Sequence, residues 1–231
     1  MLTSGMLPGG MLPSGPAAVH ALLRVGDLDA LLWEGRKPEW AGASLQRAPW
    51  VVIRRPTRRP AAIAVGVRGT LRRQRAAAWL EDRAVQECVT PQQLAGRRDW
   101  RRLAGRHASR PFRVLDEVAA VLAAHGHGGR WGPGGSVGFE LASGLSCTTP
   151  ASDLDLVLQA DQPIARANAA MLHAELSRLP VQIDLLLETP RGGVALSEYA
   201  SSNAVTLLRC PDGPRLVRDP WTADQAAASS A

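Results

Sequence analysis

From residue 19 onward the chain alternates short β-branched or aromatic runs with longer stretches of helical period, a pattern that predicts a mixed fold of helices and strands. Trp50-Val51-Val52-Ile53-Arg54 predicts a strand. Residues 54–60 predict a turn, since Pro56 and Pro60 cannot continue a ladder. Residues 63–67 predict a second strand, closing in Gly66-Val67-Arg68-Gly69. Residues 27–33 predict a short helix, and residues 71–87, with Arg72, Arg73, Gln74, Arg75 and Trp79, a longer one. Thr90 and Pro91 open another helix as its N-cap and first residue. The arginine-heavy residues 96–110, with a lone Trp100, predict a solvated linker helix.

The second half is more regular. Val114, Leu115, Val118, Val121 and Leu122 keep the spacing of an amphipathic helix. His125-Gly126-His127-Gly128-Gly129 then predicts a flexible turn, because no third ligand stands near enough to favour a metal. Gly134-Gly135-Ser136 predicts a turn before a short helix carrying Val137, Leu141 and Leu145, with Ser136 as N-cap. Asp153-Leu154-Asp155-Leu156-Val157-Leu158 predicts a strand, and residues 163–179 a crossover helix turning Ile164, Met171 and Leu172 inward until Pro180 ends it. His173 on that helix reads as a partly buried structural residue. Val181-Gln182-Ile183-Asp184-Leu185-Leu186-Leu187 predicts the next strand, followed by a short helix near 195–200 and a hairpin of 206–209 with 215–218.

Composition refines this picture. At 231 residues and 45% hydrophobic content, the chain can bury one large or two small cores. Its single lysine is Lys37, so the cations are almost all arginine, which with abundant Ala, Gly and Pro suggests a G+C-rich genome. Residues 1–110 hold 19 Lys/Arg and 8 Asp/Glu, net +11, whereas residues 111–231 hold 8 and 13, net −5. A basic half beside an acidic half suits an anionic substrate steered to a cation-loaded site. No recognition helix, RNP-like motif or zinc pattern accompanies the basic residues, so no nucleic-acid partner is expected. Cys88, Cys147 and Cys210 are widely spaced and read as reduced thiols, and no apolar run reaches membrane length. Without a signal-peptide pattern the expectation is a cytoplasmic protein with no membrane partner. The expected organisation is a disordered leader over 1–18, a basic substrate- or carrier-binding domain over 19–110, a catalytic domain over 111–220 and a tail over 221–231.

The candidate chemistry gathers at Asp153, Asp155 and Asp184. Alternate strand positions face one way, so Asp153 and Asp155 would present two carboxylates about 6.6 Å apart. Such a pair is costly to desolvate without a cation, and a hard ion such as Mg²⁺, with Mn²⁺ an alternative, takes oxygen ligands while keeping sites for phosphate. With Asp184 on a neighbouring strand, three carboxylates could hold two metals about 3.5–4 Å apart, the clamp for an in-line phosphoryl displacement. Gly134, Gly135 and Ser136 would bring backbone N–H groups to an anion at a helix start. Arg68 and Arg75 could add guanidinium forks for phosphate.

The Gly-Ser turn, the Asp-x-Asp strand and the later Asp strand together resemble the nucleotidyltransferase superfamily, although residues 137–152 make a longer spacer than is usual there. The fold this implies is α+β: a nucleotidyltransferase-like mixed sheet with flanking helices in the C-terminal domain, preceded by a smaller α/β N-terminal domain. A closer resemblance spans roughly residues 20–220. It rests on Ala48-Pro49-Trp50-Val51-Val52-Ile53-Arg54-Arg55, Val65-Gly66-Val67-Arg68-Gly69 and Gln74-Arg75-Ala76-Ala77-Ala78-Trp79-Leu80. Trp131-Gly132-Pro133-Gly134-Gly135-Ser136-Val137-Gly138-Phe139-Glu140-Leu141 and Ser152-Asp153-Leu154-Asp155-Leu156 complete it. These segments resemble the malonate decarboxylase holo-acyl-carrier-protein synthases, or phosphoribosyl-dephospho-CoA transferases. The resemblance implies a 2′-(5″-triphosphoribosyl)-3′-dephospho-CoA donor, a serine of the malonate decarboxylase acyl-carrier subunit as acceptor, and pyrophosphate as product. The roles read from the residues fit that reaction: Asp153, Asp155 and Asp184 as catalytic and metal-binding residues, and Gly134, Gly135, Ser136, Arg68 and Arg75 as substrate-binding ones. The alternatives are a nucleotidyltransferase using an ordinary nucleoside triphosphate and a non-catalytic basic module for RNA or DNA.

Overall fold

The computed structural model describes residues 19–55, 59–103, 109–201 and 205–222. The expected leader and most of the expected tail therefore lie outside the described residues, as does the middle of the turn at 54–60. Two six-stranded sheets carry the rest.

The first sheet has the order β2-β5-β4-β3-β1-β6. Its strands are β1 (Leu22–Val25), β2 (Leu31–Trp33), β3 (Trp50–Ile53), β4 (Ala62–Arg68), β5 (Arg75–Glu81) and β6 (Val85–Val89), with helix α1 (Glu39–Arg47) between β2 and β3. Every pairing is antiparallel, so the expected α/β label is corrected: an antiparallel sheet with one covering helix is α+β. The helix expected over 27–33 is a single 3₁₀ turn at residues 28–30, capped by the Asp27 side chain, after which the chain enters β2.

The largest correction falls at 71–87, where β5 and β6 replace the expected helix. Three consecutive alanines favour a helix locally, but β4 offers seven ladder partners, from Ala62 opposite Glu81 to Arg68 opposite Arg75. Pairing buries Ala78 and Leu80 with Ile63 and Val65 on one face, and sets Trp79 against Ala62 and Ala64 on the other. Burial on both faces outweighs a helix propensity worth a few tenths of a kcal/mol per residue. The Gln74 side chain accepts the Leu71 N–H (3.0 Å), and the Gly69 N–H reaches the Gln74 carbonyl (2.8 Å), which closes the hairpin.

Between the sheets run α2 (Pro91–Arg97), α3 (Trp100–Leu103), α4 (Arg110–Arg113) and α5 (Leu115–Ala124). Thr90 caps α2 as expected, in a capping box with Gln93. The linker expectation fails at Trp100, which is 1% exposed and packs 6.5 Å from Trp131 in the core built by Phe112, Leu115, Val118 and Leu122. Arginines flank it on the solvent side, and that charge masked one apolar anchor.

The second sheet has the order β12-β11-β10-β9-β8-β7. It comprises β7 (Trp131–Pro133), β8 (Leu154–Gln159), β9 (Ile183–Thr189), β10 (Gly192–Ala195), β11 (Thr206–Cys210) and β12 (Gly213–Val217). Helices α6 (Gly135–Ser143), α7 (Arg166–Leu176) and α8 (Leu196–Ala200) connect them. Only β8 and β9 pair in parallel, which requires the α7 crossover; the expected terminal hairpin is β11–β12. On α7 the inward row is Ala169, Leu172 and Leu176, while Met171 is 53% exposed because it stands about 100° round the helix from Leu172. Leu22, Trp50, Val89, Leu94 and Phe139 form an apolar cluster joining the two halves. At Gly132 any Cβ would overlap the Pro91 carbonyl, so β7 and the start of α2 touch backbone to backbone. Among the described residues no helix is long and apolar enough to cross a membrane.

Candidate active site

The parallel β8–β9 pair sets the site. The register places Asp155 directly beside Asp184, so both carboxylates stand on adjacent strands at the same level. Asp153 precedes β8 by one residue and accepts a hydrogen bond from Arg72 at 3.0 Å. Burial pushes the Asp155 carboxyl above the usual range, and the neighbouring Asp153 and Asp184 charges push it further; Arg75 and Arg72 oppose them only in part. Among the described residues no three His, Cys, Asp or Glu side chains stand grouped as a ready cage for an ion.

The glycine turn is built onto this strand. The Gly134 N–H donates to the Asp155 carbonyl at 2.9 Å. Gly135 has φ +52°, and a Cβ there would overlap the Asp155 carboxylate. Only glycine allows both the left-handed turn and this approach. Gly134, not Ser136, is the N-cap of α6, because the turn at Gly135 already belongs to the helix and carries Ser136 into its first turn. The long spacer is held from within. Buried Glu140 on α6 accepts the N–H of Cys147, the N–H of Thr148 and the Thr148 hydroxyl, each at 2.9 Å, which ties the loop before Asp153 to the helix after Ser136.

The first sheet closes the site from the opposite side. Arg68 ends β4 and faces Arg75 at the start of β5. The Arg68 guanidinium stacks 4.8 Å from the Phe139 ring and donates to the Gly135 carbonyl at 3.4 Å. A cavity of about 570 Å³ lies between the sheets, lined by Gly134, Gly135, Asp155, Asp184, Arg68 and Arg75 among others. Six of the eight candidate residues thus line one cavity, from its two opposite sides. Ser136 and Asp153 stand outside that lining, Ser136 one residue along α6 and Asp153 turned to Arg72.

Sequence reasoning missed several groups here. His20 and Arg209 line the same cavity, and Arg72 is the partner of Asp153. Glu188 is 1% exposed; it accepts from both terminal guanidinium nitrogens of Arg55 and lies 2.9 Å from the His20 ring. Its charge inside an apolar strand was the available signal. His20 offered none, standing alone just after the leader.

The residues fit a hard divalent cation by donor chemistry: carboxylate oxygens dominate, and the middle one, Asp155, is left with repulsion that nearby arginines do not cancel.

Two family models match the chain. The phosphoribosyl-dephospho-CoA transferase MdcG N-terminal domain matches residues 18–91, and the MdcG C-terminal domain matches residues 93–220. Similar curated proteins include the phosphoribosyl-dephospho-CoA transferase of Azotobacter vinelandii, 40% identical over 204 residues, covering 87% of this chain and 93% of the relative. The Pseudomonas putida and Pseudomonas aeruginosa proteins of the same name are also 40% identical, over 190 and 184 residues. Those alignments cover 82% and 80% of this chain, and 89% and 85% of the relatives. No solved structure gives a significant match.

Proposed function

This chain belongs to the phosphoribosyl-dephospho-CoA transferase family, a family of transferase enzymes, and from that premise we propose the reaction, its partners and the residues that carry it. The donor is 2′-(5″-triphosphoribosyl)-3′-dephospho-CoA, and the acceptor is a serine of the malonate decarboxylase acyl-carrier subunit. The seryl oxygen bonds to the phosphorus next to the ribose, the bond from that phosphorus to the next phosphate breaks, and pyrophosphate leaves with the electron pair. The observation that carries this reading is the pairing of Asp155 with Asp184 against a glycine turn, inside an arginine-flanked cavity. In the same reading the second half is nucleotidyltransferase-like, a description supported by its mixed sheet and by the order of turn, Asp-x-Asp strand and later Asp strand.

Asp153, Asp155 and Asp184 are the groups that would hold Mg²⁺, or Mn²⁺ in its place. A divalent ion bound there supplies charge neutralisation to the polyphosphate and the departing pyrophosphate. Gly134, Gly135 and Ser136 present the start of α6 to the distal phosphates, where backbone N–H groups and the helix dipole favour negative charge. Arg68 and Arg75 grip the donor phosphates from across the cavity. Arg68 arrives already oriented by Phe139 and the Gly135 carbonyl, so little side-chain freedom is lost on binding. Asp184, the most exposed of the three acids, orients the incoming hydroxyl and receives its proton. Arg72 and Arg73 stand exposed on the β4–β5 hairpin outside the cavity lining, suited to an acidic carrier surface.

The test is a mass measurement. Incubation with donor and purified carrier subunit should add one phosphoribosyl-dephospho-CoA group to the carrier and release one pyrophosphate. An unmodified carrier beside intact donor would sink the reading, and modification by ATP in place of the donor would favour the ordinary nucleotidyltransferase instead. Gly135→Ala is expected to lower transfer about 10²-fold, since its Cβ forces the Asp155 carboxylate aside. The same change should cost about 1–2 kcal/mol of stability for Ala in a left-handed turn, plus the cost of displacing the Asp155 side chain. Steady-state transfer with a melting curve checks both; wild-type turnover in this variant would remove Asp155 from the reacting centre.

A further inference from the structure

The far end of the cavity is built differently from the end that holds the acids. Asp184, Leu186 and Glu188 alternate along β9 and so face the same side. Four residues at about 3.3 Å each set Glu188 about 13 Å from Asp184 along the strand. Glu188 is directly opposite Gly193 on β10, and Gly193 is directly opposite Arg209 on β11. Glu188, Gly193 and Arg209 therefore form one row across the sheet. Gly193 leaves a gap in that row, and the Arg55 guanidinium lies over it: a Cβ at Gly193 would meet Arg55 Nη2 and Glu188 Oε1. His20, held in a left-handed turn at φ +70°, closes the row from the first sheet through its 2.9 Å contact with Glu188.

Glu188 is thus spent on Arg55 and His20. Arg209 remains: among the described residues no ion pair engages it, and it lines the cavity together with His20. One end of the cavity is acidic and suited to a cation, and the other carries the Arg209 charge; Leu186 stands between Asp184 and Glu188 on β9, and Leu22 and Val52 add apolar surface to the same lining. Arg209 stands two strands across from Glu188, so a ligand matching both ends carries a reacting polyphosphate at one end and a second anion roughly 13–16 Å away.

We propose that His20 and Arg209 form a second anion subsite that holds the 5′-diphosphate of the donor's dephospho-CoA part, with Glu188 and Arg55 positioning His20. This rests on the transfer reading above. In that donor two linked riboses separate the reacting phosphorus from the 5′-diphosphate, a span of the order of the distance between the two ends. The subsite makes the enzyme prefer the dephospho-CoA donor to a plain nucleoside triphosphate, which carries no phosphate beyond its reacting end.

Two measurements test it. Dephospho-CoA, which lacks the triphosphoribosyl group, should bind wild-type protein by calorimetry, and adenosine at the same concentration should not. Binding should weaken about tenfold or more in Arg209→Gln, a surface change with little risk to folding, and in His20→Asn, whose new side chain tolerates the same φ. In transfer assays both variants should raise the donor KM about tenfold or more while kcat and the carrier KM stay within about twofold. Unchanged dephospho-CoA binding in both variants overturns the subsite, as does a rise in carrier KM in place of donor KM. Because the binding measurement needs no turnover, a wild-type protein that binds dephospho-CoA but modifies no carrier would count against the transfer reading and leave the subsite standing.

Discussion

Asp155→Asn is expected to lower transfer to the carrier subunit by about 10³-fold or more while making the protein more stable at neutral pH. The loss follows from position. Asp155 is the central acid of the three, beside Asp184 in the parallel ladder and against the Gly135 backbone. A cation held there contributes several kcal/mol of charge stabilisation, and each 1.4 kcal/mol is about tenfold in rate. The stability gain follows from the raised pKa, caused first by burial and then by Asp153 and Asp184. When an acid titrates higher in the fold than in the unfolded chain, the native state binds the extra proton, so stability falls as pH rises between the two values. Above that window the ionised carboxylate is a net cost that Asn removes; below the unfolded value, about pH 4, both forms are neutral and the advantage disappears. Melting curves at pH 4 and pH 7.5 test the sign. Mg²⁺ should raise the melting temperature of the wild type and leave the variant unmoved. Transfer within tenfold of wild type in the variant would remove Asp155 from the centre of the chemistry.

How much of this was legible in the sequence depended on what fixed each residue. Asp155 and Asp184 could be read because a carboxylate inside an aliphatic strand is costly unless a cation or a donor meets it, and the parallel register then set them side by side. Thr90 could be read because a capping box is a local device. The β4–β5 hairpin could not: its alanines carry no strand signal, and only the ladder with β4 makes Ala78 and Leu80 a core face. Trp100 was hidden by flanking charge, and Met171 by a phase error of one residue on α7. His20 and Arg209 were out of reach for a further reason. They join the site only because two sheets built from separate halves of the chain face each other across one cavity.

Glu188→Ala is expected to destabilise the protein by about 3–5 kcal/mol, the cost of leaving a buried charge without its partner. Glu188 is 1% exposed, and the Arg55 side chain beside it is 14% exposed. Burial alone would raise the Glu188 pKa, but the hydrogen bonds from His20 and Arg55 outweigh it and hold the carboxyl below its usual range. The sign is opposite to that of Asp155: a depressed folded pKa adds stability that is complete above the unfolded value, about pH 4.3, and fades as pH falls through the folded one. The variant should therefore lose most at neutral pH and approach the wild type in acid. At about 2–4 °C per kcal/mol for a chain of this size, its melting temperature should drop by about 10 °C. Removing both charges with Arg55→Met and Glu188→Leu should restore much of the loss, because two apolar side chains leave no orphaned ion. A single variant within about 1 kcal/mol of wild type would show that the contacts of His20 and Arg55 with buried Glu188 contribute little to joining the two sheets, which the Trp50–Phe139 cluster and the Arg68 and Arg72 contacts then hold.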